Sequence, residues 1–274
     1  MRNTIKSLIA AAALLALSVC ADAQSFRQVL KSPAGTIRSE WENGANGNRV
    51  LNYYNEDYCD YYLHRISDDA YRLKPGKTAI VKKGAERINA FNGPAMYSYY
   101  RGYFPRDFNI YTPYALPVKN GTRTAWRADR RESVRTLQFR MEPGDTVYAT
   151  RGGTACSTVH PNQLLVCHAD QTFAAYLTLK ENFVLPGEAV RTGQPVGIAG
   201  LAGVAISFFF LDKNKFSGRE AVGYAYSHFT PVFRTTEGDV KPVERKMYGA
   251  LVDDGLIMLD MSKREQKRYL KNKQ

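Results

Sequence analysis

The sequence predicts an all-β protein of two units, a small β-sandwich-like domain followed by a β-roll, behind an N-terminal leader and ahead of a basic C-terminal tail. Three observations predict this. From about 24 to 92, short strand-like runs such as Tyr61-Tyr62-Leu63 and Ala79-Ile80-Val81 alternate with turn residues such as Lys74-Pro75-Gly76. A second strand-rich stretch runs from about 135 to 233. Within it, Val184-Leu185-Pro186-Gly187, Val190-Arg191-Thr192-Gly193, Val196-Gly197 and Gly200 repeat one apolar residue and one turn glycine at short intervals, which winds brief strands into a compact roll.

The elements follow in order. Residues 1–23 read as a secretory leader: Arg2 and Lys6 are basic, 8–17 is apolar or small, and Ala21-Asp22-Ala23 supplies a small-x-small cleavage pattern before Gln24. The apolar run is shorter than the roughly 18 to 20 residues that span a bilayer. A lipid-attachment role for Cys20 is opposed by the branched Val19 before it. The chain is therefore expected in the periplasm or outside the cell, with no transmembrane segment after cleavage. Residues 24–96 form the N-terminal β domain, 97–134 an extended connection rich in Pro and Gly, 135–235 the roll, and 236–274 a C-terminal extension. Its end, 262–274, is Lys- and Arg-rich and is expected as a frayed helix or disordered tail. The many tyrosines, Tyr53, Tyr54, Tyr58, Tyr61, Tyr62, Tyr97, Tyr99 and Tyr100 among them, suit half-buried strands better than sugar-stacking platforms.

The formal net charge is +12. In an exported protein such charge points to anionic wall polymers or membrane surfaces rather than nucleic acid, or serves solubility alone. A nucleotide-cradling loop is excluded, because the residues after Gly203 read as strand and not as helix. Cys59, Cys156 and Cys167 remain after cleavage. Equal spacing about a turn at Pro161-Asn162 would set Cys156 opposite Cys167, a candidate disulfide in an oxidising compartment. A metal site with His168 or His160 fits poorly. Strand alternation turns His168 away from Cys167, and His160 stands about 13 Å from Cys156 at about 3.3 Å per residue. Cys59 is expected buried and inert.

Three pieces of the second unit carry a resemblance. They are Leu137-Gln138-Phe139 with 143–153, then 165–172 ending in Tyr176-Leu177-Thr178-Leu179, then 187–203. In order, spacing and residue type they resemble the lysostaphin-like zinc endopeptidases, metallopeptidase family 23, whose members cut peptide crosslinks in peptidoglycan. The resemblance implies their β-roll, the duplicated hybrid motif. Tyr97-Ser98-Tyr99-Tyr100-Arg101-Gly102 and Tyr114-Ala115-Leu116-Pro117 are similar to the lead-in of a two-domain branch of that family.

The family holds zinc with a histidine, an aspartate and the second histidine of a His-x-His strand, leaving one position for an activated water. Carried over, the aspartate falls at Gln138 and the His-x-His strand at Ser207-Phe208-Phe209. The histidine that steadies the transition state falls at Thr178. No histidine occurs between His64 and His160, so the first ligand is missing in any register. Gln138, Thr178, Ser207 and Phe209 are thus degenerate site positions, and no zinc and no catalytic residue is expected. Tyr148, His168 and Tyr176 are candidate cleft or binding residues. The resemblance then implies an exported pseudo-peptidase that binds peptidoglycan, or an envelope protein such as a wall hydrolase, as scaffold or regulator. The alternative is an active metallo-endopeptidase with non-standard ligands.

Overall fold

A computed structural model of the chain describes residues 27–44, 49–65, 70–83, 96–129 and 135–273. The leader and its cleavage pattern lie outside the described residues. The protein is all-β apart from short helical segments, with almost every strand pair antiparallel.

The N-terminal unit contains two three-stranded sheets. One runs Ile37–Asn43, Arg49–Asn55, Gly76–Lys83, and in the other Tyr61–Arg65 lies between Ala70–Leu73 and Tyr97–Arg101. The strand Tyr97–Arg101 corrects the expectation that the connection begins at 97. It pairs Tyr99 with Leu63 and Tyr97 with Arg65. Without it the second sheet would be a two-stranded ribbon, marginal on its own in water. Tyr53, Tyr61, Tyr62 and Tyr97 are buried in the domain core, as packing requires, while Tyr58, Tyr99 and Tyr111 are exposed.

The second unit is built on an eight-stranded sheet. Its spatial order is Ala189–Val190, Gly153–Cys156, Leu164–Cys167, Phe173–Tyr176, Val204–Leu211, Thr136–Phe139 and Trp126–Asp129, with Tyr226–His228 pairing along the far half of Val204–Leu211. A three-stranded sheet, Thr146–Tyr148, Pro195–Ala199 and Leu179–Asn182, contributes Val147, Val196 and Leu179 to the same core.

Both faces of the large sheet are covered. Alternation along Val204–Leu211 sends Val204, Ile206 and Phe208 into the roll core. Phe209 and Leu211 enter a second core shared with Leu51, Tyr61 and Leu63 of the N-terminal unit. The same split divides Leu164 and Val166 from Leu165 and Cys167. Strands buried on both faces need no polar side, which is why Leu164–Cys167 and Phe173–Tyr176 read as unbroken apolar runs. The run of phenylalanines at 208–210 therefore fills two cores: Phe208 sits edge-on to Tyr114, and Phe209 stacks on Phe173 at 5.2 Å.

The C-terminal extension is part of this body. Val232–Thr235 forms a hairpin with Gly238–Val240 and lies parallel to Pro113–Ala115, so a boundary at 235 would cut one hairpin in two. Tyr248–Gly249 pairs with Arg123–Thr124. The tail is also more ordered than its composition suggests. Ser262 and Glu265 form a capping box that starts the helix Lys263–Lys271. Gln266 Nε2 donates to the carbonyls of Met258 and Met261, and Tyr269 donates to Asp254. Among the described residues no helix is long and apolar enough to cross a membrane.

Candidate functional site

Gln138 stands on Thr136–Phe139 directly opposite Ala205. Its neighbours Leu137 and Phe139 point into the roll core, so Gln138 and Ala205 share the other face. There both polar atoms of the amide are engaged. Arg127 donates to Oε1 from Nε at 3.1 Å and from Nη2 at 2.8 Å, and Gln138 Nε2 donates to the Ala202 carbonyl at 2.8 Å. Thr178 reaches the same turn. Its hydroxyl donates to the Gly203 carbonyl at 3.1 Å and accepts the Ala205 N–H at 2.9 Å. The structure therefore brings Gln138 and Thr178 together at the turn that leads into Val204–Leu211.

Ser207 and Phe209 lie farther along that strand on the same face, and both are fully buried. Ser207 donates to the Arg135 carbonyl at 3.3 Å and is 3.1 Å from His228 Nδ1, while Tyr224 is 3.1 Å from His228 Nε2. His228 sits opposite Phe209 and beside Ser207. No sequence motif marks it, because Tyr226–His228 reaches Ser207 only through strand pairing. A hydroxyl beside an imidazole is the first half of a nucleophile and base pair. Here the hydroxyl is sealed from solvent and the second ring nitrogen meets a phenol instead of a carboxylate, so the pair is a structural tie. Burial, with Arg135 and Lys215 adding to it, pushes His228 down to about 3.

Zinc does not fit these positions. Gln138 presents a neutral amide already bound to a guanidinium, Thr178 is spent on backbone, Phe209 has no donor atom, and both nitrogens of His228 have partners. The cations felt here, Arg127 at Gln138 and Arg135 and Lys215 at His228, oppose a divalent ion.

Gly203 makes this turn at a φ of 81°, and a Cβ there would sit 2.3 Å from the Phe139 carbonyl oxygen. Gly203→Ala should therefore cost more than the roughly 1 kcal/mol of the left-handed backbone alone. Urea unfolding checks this, and an unchanged midpoint would show that the turn relaxes freely.

The other candidates disperse. Tyr176 is buried in the roll core and accepts the Thr150 N–H at 2.7 Å, with burial raising its hydroxyl to about 12; it is a packing tie and not a cleft residue. Tyr148 is half-buried and lines a shallow depression with Arg123 and Arg140. His168 is buried and lines a different cavity, beside Gly152.

The cysteine register also differs from expectation. Cys156 faces Leu165 and Cys167 faces Thr154, because the hairpin centres between His160 and Pro161. Among the described residues Cys59, Cys156 and Cys167 are free thiols, and Cys59 lies beside Cys156 and Asp57, their ligand atoms within 4.8 Å of one another. This trio does not fit a metal either. Both Asp57 oxygens already accept hydrogen bonds, and burial pushes the Cys59 and Cys156 thiols up, away from the thiolate that binds metal.

No family model matches the chain, and no curated protein matches it. Among solved structures it is similar to a zinc-containing peptidase from Vibrio cholerae, with 16% identity over 59% of this chain and 52% of that one at a TM-score of 0.28. The chain thus spans about half the length of that peptidase. It is also similar to Helicobacter pylori Csd3, with 9% identity over 92% of this chain and 87% of that one at a TM-score of 0.31. At such scores neither likeness bears on activity.

Proposed function

We propose that the chain is an exported, non-catalytic relative of the lysostaphin-like peptidases that binds peptidoglycan, or an envelope protein such as a wall hydrolase, as scaffold or regulator. One observation supports a loss of chemistry: Arg127 places two N–H donors on Gln138, the position onto which the resemblance carries the family's zinc-binding carboxylate. A fixed cation in that place is the electrostatic opposite of a metal ligand set. Without a metal, nothing lowers the pKa of a water from about 15.7 towards 7 for attack on a peptide. The basic leader with its apolar run and Ala21-Asp22-Ala23 supports export, and a net charge of +12 supports contact with anionic wall polymers.

Two measurements on protein purified without chelators test the reading. Metal analysis should find no stoichiometric zinc. Sedimentation with isolated sacculi should carry the protein down without releasing soluble fragments. Tightly bound zinc, or crosslinks cut in a chelator-sensitive way, would overturn it in favour of an endopeptidase with unusual ligands. Failure to bind sacculi or any envelope protein would remove the binding half.

A further inference from the structure

Three thiols meet where the N-terminal unit seats on the roll hairpin. Cys59 comes from the bend before Tyr61–Arg65, Cys156 ends Gly153–Cys156 and Cys167 ends Leu164–Cys167; all three lie in one buried cluster with Leu51, Leu63 and Leu165. Cys156 interacts with both of the others. Strand register separates the two pairings.

Cys156 is opposite Leu165 and Cys167 is opposite Thr154, so these two cysteines are diagonal neighbours, a separation of about 7 to 8 Å. Cysteines whose Cα atoms are more than about 7 Å apart cannot be bridged without backbone movement. Neither strand is free to slide, because Gly153–Cys156 is also paired with Ala189–Val190, and Leu164–Cys167 with Phe173–Tyr176. Cys59 is held by no such ladder. Its Sγ, the Cys156 Sγ and an Asp57 carboxylate oxygen all lie within 4.8 Å of one another.

The backbone is pressed together around these two sulfurs. Asp57 Oδ1 accepts the Ser157 N–H at 2.8 Å, while Oδ2 accepts the Cys59 thiol at 3.5 Å. Tyr58 packs on Gly187, where a Cβ would stand 2.6 Å from its ring, and Gly187 donates to the Ala155 carbonyl beside Cys156. Little is lost if the thiol protons leave. Asp57 keeps Arg101, the Tyr61 hydroxyl and two backbone N–H groups, and the Cys156 thiol gives up only a 3.8 Å contact with the Thr154 carbonyl.

We propose that Cys59 and Cys156 join in a disulfide that ties the N-terminal unit to the roll hairpin, with Cys167 left as a thiol. The bond forms while the chain folds, since in the finished protein all three residues are buried. The oxidant is another disulfide, small or carried by a protein. One cysteine thiolate attacks it and releases a first thiol, and the second thiolate then displaces the other half as a second thiol. Two protons and two electrons thus pass to the reagent. In a cell the step needs the oxidising compartment that export supplies and so rests on that reading, whereas in a refolding chain it does not.

Refolding the reduced, urea-denatured full chain carrying Cys20→Ser in oxidised and reduced glutathione, then blocking thiols and digesting with trypsin, tests it. Cleavage after Arg49, Arg65, Arg151 and Lys180 isolates Cys59 in 50–65 and both hairpin cysteines in 152–180. These two peptides should appear as one species that dithiothreitol splits, with fragment ions placing the blocking group on Cys167. Cys167→Ser should form the same link. The bond should resist dithiothreitol until urea unfolds the protein. Once reduced, the urea midpoint should fall by about 1 M or more, because the bond closes a loop of roughly 100 residues. Loss of two hydrogens within 152–180 alone would assign the bond to the hairpin pair, and a blocking group on Cys156 would assign it to Cys59 and Cys167. Blocked thiols or glutathione adducts at both Cys59 and Cys156 would mean that no bond forms. Any of these three results overturns the proposal. Export is read separately, from the fate of residues 1–23, so either can fail alone.

Discussion

Asp57→Ala should destabilise the folded protein by about 3 to 5 kcal/mol, the cost of leaving a buried guanidinium without its counter-charge. Asp57 and Arg101 meet at 2.6 Å with neither side chain exposed to solvent. Asp57 Oδ1 accepts the N–H groups of Tyr58 and Ser157, and Oδ2 accepts the Tyr61 hydroxyl besides Arg101. Arg101 also donates to the carbonyl of Val29. Burial alone would raise the Asp57 carboxyl, but Arg101, the Ser157 N–H and the Tyr61 hydroxyl outweigh it and hold it below its ordinary value. Ser157 belongs to the roll hairpin, so this one ion pair ties the N-terminal sheets to the second unit. A double-mutant cycle reads the coupling. Asp57→Ala with Arg101→Met should lose less than the single change, because it removes both charges instead of stranding one. A single-variant loss below about 1 kcal/mol would mean that water reaches the pair.

The strand-rich class and the roll's glycine turns are legible in the sequence, because those rest on local pattern. What it hid was set by burial on two sides. Nothing in Phe173-Ala174-Ala175-Tyr176 says which residues face which core, since all four are buried. Arg101 looked like part of a linker, and only strand pairing with Tyr61–Arg65 carries it to Asp57. The tail carries a legible sign of its order, since Ser262-Lys263-Arg264-Glu265 is a capping-box sequence, whereas its composition points only to charge. At the turn into Val204–Leu211, Gln138 and Thr178 were legible as candidate positions. Arg127 was not, because its contact with Gln138 comes from the pairing of Trp126–Asp129 with Thr136–Phe139, where the two residues face each other directly. His228 reached Ser207 in the same way.

Stability should fall steeply as pH drops from about 6.5 to 4.5, through His168 and His228. Burial, helped by Arg151 at one site and by Arg135 and Lys215 at the other, holds these imidazoles at about 4 and about 3, against 6.5 for an ordinary histidine. Unfolded, both rings take up a proton near 6.5; folded, neither does until far lower pH. Above about 6.5 both states are neutral and the full contribution is present. Below it the unfolded chain binds more protons, so stability declines with falling pH until the folded values are reached. At 1.36 kcal/mol for each unit, the loss by pH 4.5 is roughly 2 to 3 kcal/mol for each ring. The lowered Asp57 carboxyl contributes in the same direction only below about pH 4, the ordinary range of an aspartate. Urea unfolding at pH 7.5, 5.5 and 4.5 measures the slope, and His168→Gln and His228→Gln should each remove about half of it. A flat profile across that range would mean that both rings are solvated in the folded protein.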